Sequence, residues 1–427
     1  MRNLIKILFF SFLLVTANGI KAQIAINSPY TRFGLGEMSL MGSGLNRSLG
    51  GTSIGHRFSN QINFNNPASF SSQDTMSFIL DFGLNGELRK LSSDYEKVKL
   101  NDFNMGHLAI AFPVTKWWAA SLGVHPYSRI GYNMMIENAF SSTRDNYQIY
   151  FKGNGNLNRF YVGTGLRFGK HLAVGANMSY IFGSYERNRT VLVPPEGNAR
   201  TLYINRSVIG DLLFNFGIQT FTSVGKNHHI VLGAILDNKT ELSGEYSSYI
   251  INSYTVNTDT MKKEENQKGT VTIPLRLGIG GSYSYKNKLF VAFDYIRQDW
   301  SDARFFGKPD SLAQYSSMRF GIQYIPVSLY EIKRVPYWQR INFRAGGYYN
   351  QTYLEINGTH LKDYGITFGV GIPWRNEKNL LTKTSFNISY QLGWQGTIDN
   401  GLVKESYQVF SIGFTLYDFW FIKRRYD

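Results

Sequence analysis

From Asp74 to Phe421, apolar and polar residues alternate in about fourteen segments, the periodicity of strands with one greasy and one mild face. In Val409–Tyr417, the positions Phe410, Ile412, Phe414 and Leu416 are large and apolar, whereas Val409, Ser411, Gly413 and Thr415 are mostly small or polar. One such strand would suit a soluble sheet; a long series is the pattern of a transmembrane β-barrel. Alternation and turn residues predict strands near 74–92, 98–112, 117–135, 155–168, 171–192, 201–222, 228–245, 269–284, 288–301, 314–325, 340–353, 361–373, 383–396 and 405–419. Tight connections at Pro113–Lys116, Gly169–Lys170, Val224–Asn227 and Tyr285–Asn287 alternate with longer polar ones at Glu137–Asn154, Ser247–Lys268 and Asp302–Ala313. Short periplasmic turns and long outer loops give outer-membrane barrels this rhythm. The connections 326–339 and 374–382 are longer than their side of the barrel predicts.

Parity separates the two faces. Phe160, Val162, Leu166 and Phe168 share one face, as do Ile273, Leu275, Leu277 and Ile279, and Ile366, Phe368, Val370 and Ile372. The opposite parity carries Tyr161, Gly163, Gly165, Arg167, Asp211, Asn215, Gln219, Arg276, Asp294, Arg319, Gln323, Asn342 and Arg344. A charge facing lipid at mid-bilayer costs roughly 2–4 kcal/mol, so these residues are expected to face a polar lumen.

Composition narrows the class. Aromatics make up 15% of the 427 residues and glycine contributes 42, yet mean hydropathy is −0.24 and no later stretch approaches a membrane-spanning helix. There is no cysteine, which excludes disulfides, Cys-ligated metals and an N-terminal lipid anchor. Arg2 and Lys6 precede the short apolar run Ile7–Val15, and Ala22 offers a small residue, so residues 1–22 read as a signal peptide cleaved before Gln23. Losing Arg2, Lys6 and Lys21 takes the formal charge from +15 to +12. These charges are scattered, without the basic-aromatic runs that mark a nucleic-acid surface.

Residues 23–73 do not alternate. They hold Ser28-Pro29-Tyr30-Thr31-Arg32-Phe33-Gly34-Leu35-Gly36, Gly50-Gly51-Thr52-Ser53-Ile54-Gly55 and Asn65-Asn66-Pro67-Ala68-Ser69-Phe70. A barrel of about fourteen strands encloses a wide lumen, so the expected domains are 1–22 signal, 23–73 lumenal plug and 74–427 barrel. The Asn66-Pro67-Ala68 triplet behind its glycine-rich stretch, the segment Leu122-Gly123-Val124-His125-Pro126-Tyr127 and the strand number together resemble the long-chain fatty-acid transporter (FadL-like) barrels of Gram-negative outer membranes. The Ser28–Gly34 stretch looks instead like Bacteroidota paralogues, a group that also uses a similar barrel in type IX secretion. The resemblance implies passive uptake of hydrophobic compounds, long-chain fatty acids among them, in the outer membrane, with lipid, lipopolysaccharide and a hydrophobic small molecule as partners. A barrel docking on secretion proteins and a general porin are the alternatives.

Pro126 interrupts a strand in a wall that has no edges. With Gly123, Tyr127 and Gly131 it marks either a lateral opening or a bulge at the rim. Arg167, Arg276, Arg319 and Arg344 read as a lumen network pairing with Asp211, Asp294 and plug residues, or as partners for a ligand carboxylate. Asn66, Pro67, Ala68, Phe33, Leu35, Phe64 and Phe70 are the plug positions expected beside a ligand. His107 and His125 share the inner parity about 7 Å apart, near Ser121. No Gly-x-Ser-x-Gly motif is present, no acid is evident beside either imidazole and no third metal ligand joins them, so neither catalysis nor a metal or other cofactor is expected.

Overall fold

The computed structural model describes residues 28–39, 41–94, 96–139, 146–192, 200–253, 258–310, 312–327, 335–374 and 383–419. The expected signal segment, residues 23–27, half of the 326–339 connection and nearly all of the 374–382 connection lie outside these. The wall begins with β1 (Ser77–Ser92), β2 (Lys97–Pro113), β3 (Trp118–Ala139), β4 (Asn146–Phe168), β5 (Leu172–Leu192) and β6 (Arg200–Val224). Next, β7 runs through His228–Asp237 and Thr240–Ser253, and β8 through Thr258–Ile273 and Arg276–Tyr285, each interrupted once. The wall is completed by β9 (Leu289–Asp299), β10 (Gln314–Tyr324), β11 (Asn342–Ile356), β12 (Thr359–Pro373), β13 (Ser385–Gln395) and β14 (Lys404–Phe419). Every neighbouring pair is antiparallel, and β14 returns to β1 from Lys404↔Ser92 to Phe419↔Ser77. Fourteen strands therefore form a closed barrel, as the alternation predicts. No helix among the described residues is long and apolar enough to cross a membrane.

The greasy parity faces outward: Phe160 is 43% exposed, Ile279 63% and Ile412 57%, while Tyr161 is 1% exposed on the inner face. Ile273 departs from its expected face and is buried inside. Pro274 and Leu275 interrupt β8 immediately after it and shift the parity, so Leu275, Leu277 and Ile279 still face out. At the short turn after β8, Lys286 and Asn287 both take positive φ, 53° and 54°, as the two central residues of a type I′ hairpin do.

Two expected loops are mainly strand. The stretch Glu137–Asn154 contains the end of β3 and the start of β4, and Ser247–Lys268 contains the ends of β7 and β8. About ten residues suffice to cross a bilayer, whereas β3 to β6 have 22, 23, 21 and 25 residues. Beyond the lipid neither face needs to be apolar, so the ladder continues where the hydrophobic signal has stopped.

Residues 28–73 lie inside this wall. They form the 3₁₀ turns Pro29–Arg32 and Pro67–Ser72, the two-residue strand Glu37–Met38 and the short helix α1 (Gly44–Ser48). Ser53 and Ile54 N–H groups donate to Asp294 of β9, Gly50 N–H to Thr367 of β12, and Gln219 of β6 to the Ile54 and His56 carbonyls. The segment thus bonds to strands around the whole circumference.

Candidate functional site

The Asn66-Pro67-Ala68 turn sits on a floor of inward glycines. The Asn66 side chain accepts from Ala68 N–H and donates to the Ile54 carbonyl. A Cβ on Gly217 would stand 2.1 Å from Asn66 Oδ1, and one on Gly175 would stand 2.4 Å from the Pro67 carbonyl carbon. The missing side chains of β5 and β6 make room for this turn, which accounts for the inner-face glycines seen in the sequence. Leu35, Phe64 and Phe70 are buried and Phe33 is partly buried. Leu35 packs among Tyr30, Ile130 and Tyr353, whereas Phe64 and Phe70 join Ile62, Ile79 and Tyr161. None of the four lines either of the two lumen cavities described below.

At Pro126 the wall comes apart. The β2–β3 ladder runs from Pro113↔Ala119 to Leu108↔Val124 and stops there. β3 continues on β4 through a bulge between Pro126 and Ser128, and β2 continues on β1. Both inner edges are thereby released on the long-loop side. The N-terminal segment occupies the edge of β3: Glu37 pairs with Arg129, Met38 with Ser128, Ser39 N–H donates to the Tyr127 carbonyl and Ser28 N–H to the Gly131 carbonyl. Arg129 of β3 reaches across the gap, with Nη1 2.9 Å from Asp102 Oδ2 of β2 and Nη2 3.7 Å from Glu87 Oε2 of β1. Gly123 lies within the last paired stretch, and Gly131 accepts from Ser28 N–H and donates its own N–H to Thr31 Oγ1.

Beside the gap is a buried charge cluster that parity reveals only in part. Arg89 on β1 meets Glu87 at 2.6 Å, Glu405 of β14 at 2.5 Å and Glu37 of the segment at 3.0 Å. Glu87, Arg89 and Glu405 share the inner parity of their strands and were legible as lumen charges; Glu37 has no periodicity to announce it. Glu37 and Glu87 of this cluster, with other residues of the segment, line a cavity of about 130 Å³, below the roughly 300–1,000 Å³ of sites for drug-sized ligands.

The four arginines have other partners than the expected Asp211 and Asp294. Arg276 pairs with Asp237 at 3.0 Å, not with Asp211 or Asp294. Asp294 is taken by the segment's backbone. Asp211 accepts from Leu212 and Ser243 N–H groups at the interruption of β7, where the ladder itself is missing. Arg319 donates to Ser317 and to the Gly51 carbonyl, and Arg344 to Gln323 and Asn387. Arg167 has the inner parity but lies exposed at the short-turn mouth, donating to the Lys116 carbonyl.

An acid does stand beside His107: Asp81 Oδ2 is 3.1 Å from its Nε2. Phe64 nevertheless packs against both imidazoles, 5.9 Å from His107 and stacked 4.6 Å from His125. Ser121 Oγ is engaged by the Ile110 carbonyl and the Tyr161 hydroxyl. Among the described residues no hydroxyl nucleophile is hydrogen-bonded to either ring.

A closed antiparallel barrel of fourteen strands with an apolar outer band, an occupied lumen and a released seam has the architecture of a membrane-spanning β-barrel. The chain belongs to the BamG family, whose model matches residues 4–427. The fold is shared with the toluene transporter TodX of Pseudomonas putida (TM-score 0.60, 15% identity, 90% of this chain and 100% of that one). It is shared likewise with the toluene transporter TbuX of Ralstonia pickettii (0.59, 15%, 88% and 98%) and a Pseudomonas aeruginosa FadL homologue (0.54, 12%, 89% and 98%). No curated protein matches the sequence.

Proposed function

We propose that this barrel passes hydrophobic compounds sideways from its lumen into the outer membrane, with residues 23–73 acting as its plug. The observation that carries the reading is the end of the β2–β3 ladder at Leu108↔Val124. An exposed ladder edge in hydrocarbon leaves polar groups unsatisfied, and here the plug's own strand covers the edge of β3. Withdrawing Glu37–Met38 opens a window beside Pro126 through which an apolar solute leaves without crossing the outer polar layer. Arg129–Asp102 is the latch across that window. The relatives named as toluene transporters support an apolar cargo; its identity is open to shape, because apolar sites select by fit.

The chain has no cysteine, so the test is direct. Asn104→Cys and Ser128→Cys, joined by a bismaleimide, tie β2 to β3. Uptake of a fluorescent hydrophobic probe by cells should then fall to the level of cells lacking the protein. Uptake that survives the cross-link would exclude the lateral route.

The small, charged outer cavity favours a second reading, in which the filled barrel is a docking subunit for a secretion-system or other envelope protein. Stoichiometric partners after purification in mild detergent, together with wild-type probe uptake in a deletion strain, would select it.

A further inference from the structure

At the short-turn end, a cavity of about 700 Å³ lies between the N-terminal segment and the wall. Its lining includes Arg57, Arg167, Lys170, Lys288 and Arg344, and among the described residues it contains no aspartate or glutamate. Two of these cations are held by neutral groups alone. Arg57 donates to the Ala68 carbonyl, Gln219 and Ser71 and lies 3.9 Å over the Phe221 ring. Arg344, only 6% exposed, donates to Gln323 at 2.7 Å and Asn387 at 2.8 Å.

Burying a charge is costly unless it is paired. The same lumen pairs other guanidiniums: Arg89 meets three carboxylates, Arg129 meets Asp102 and Arg276 meets Asp237. Carboxylate partners are thus available in this interior, although Arg319 also donates to Ser317 and the Gly51 carbonyl. Burial, and after it the neighbouring Arg167, bring Arg57 down to about 10, so it remains charged at neutral pH. Guanidinium donors suit phosphate and carboxylate oxygens, and Phe58, Phe221 and Phe290 in the same lining offer apolar contact to whatever carries the anion.

We infer that the short-turn mouth is a binding site for an oxyanion, a phosphate or carboxylate group, received by Arg57 and Arg344 with Arg167 adding charge at the entrance. This site does not depend on the lateral route, since it lies on the other side of the segment. The anion can be free in the periplasm or be the headgroup of an anionic phospholipid.

The experiment is calorimetric titration of inorganic phosphate into the full chain in nonionic detergent. Native mass spectrometry of the protein taken from phosphatidylglycerol and from phosphatidylcholine nanodiscs runs beside it. Saturable phosphate binding, weakened at least tenfold by Arg344→Gln and severalfold by Arg167→Gln, supports the site. Retained phosphatidylglycerol that phosphate displaces assigns it to a headgroup. Arg167 is exposed, so its variant reports even where Arg344→Gln fails to fold. Absence of both phosphate binding and retained anionic lipid overturns the inference. So does binding that is equal in wild type, Arg57→Gln and Arg167→Gln.

Discussion

His56 shows how one buried side chain can make the lumen sensitive to pH. Its Nδ1 faces Asn46 Nδ2 at 3.3 Å and its Nε2 faces Thr52 Oγ1 at 3.1 Å. The Asn46 amide nitrogen also donates to the Thr52 carbonyl, and its oxygen accepts from Ser43, so the amide presents a donor to Nδ1. That network requires the neutral ring. Burial, then Arg344, push the imidazole from its ordinary 6.5 down to about 3. The unfolded chain takes up this proton below pH 6.5 and the folded one does so only near pH 3, so stability falls as pH drops through that window. The slope is at most roughly 1.4 kcal/mol per pH unit. Protease susceptibility of residues 28–73 should rise between pH 6.5 and 4, and His56→Gln should flatten the rise. Asp74 at the barrel rim adds to it: burial opposes its charge, yet Lys383 and Tyr417 hold its carboxyl below the usual range. Stability from that contact is present above the ordinary carboxylate pKa and is lost as pH falls below it. None of this was legible in sequence, because residues 28–73 have no period from which a partner can be read.

At the scale of the strand, the wall was the readable part. A two-residue period survives any length of chain, and each of the fourteen strands overlaps a segment that alternation predicts, although β4, β7 and β8 run further at their long-loop ends. What alternation hides is which neighbours remain paired. Pro126 marked the place, but the released seam runs well beyond one proline, because β2 and β3 part after Leu108↔Val124 and do not rejoin. Arg129→Gln should therefore loosen the seam without unravelling the wall, raising probe uptake at least twofold; unchanged uptake would assign the closure to the Glu37–Met38 strand alone. Gly217→Val tests the glycine floor. The added side chain meets Asn66 at its first atom, and overpacking of this kind costs about 1–3 kcal/mol. Circular dichroism should show an intact barrel while the Asn66 turn becomes open to proteolysis.

For the molecule as a whole, a filled lumen predicts low small-ion conductance in planar bilayers, with a marked increase after deletion of residues 28–73. Equal conductance before and after deletion would mean that the wall itself is collapsed inward. The closure of β14 on β1 carries a further consequence, which concerns assembly order. Ser77 and Phe419 are joined in one ladder from opposite ends of the wall sequence, so that seam cannot form until every strand between them exists. Segment 28–73 precedes β1, yet it bonds to strands as late as β12 and, through Ser28, to Glu405 of β14. Its partners on β3, β5 and β6 exist early, but those on β9, β12 and β14 do not. Its seating is therefore completed only as the last strands arrive. Closing the seam then fixes the contents of the barrel, and a chain whose leader arrived late would be sealed with an empty interior.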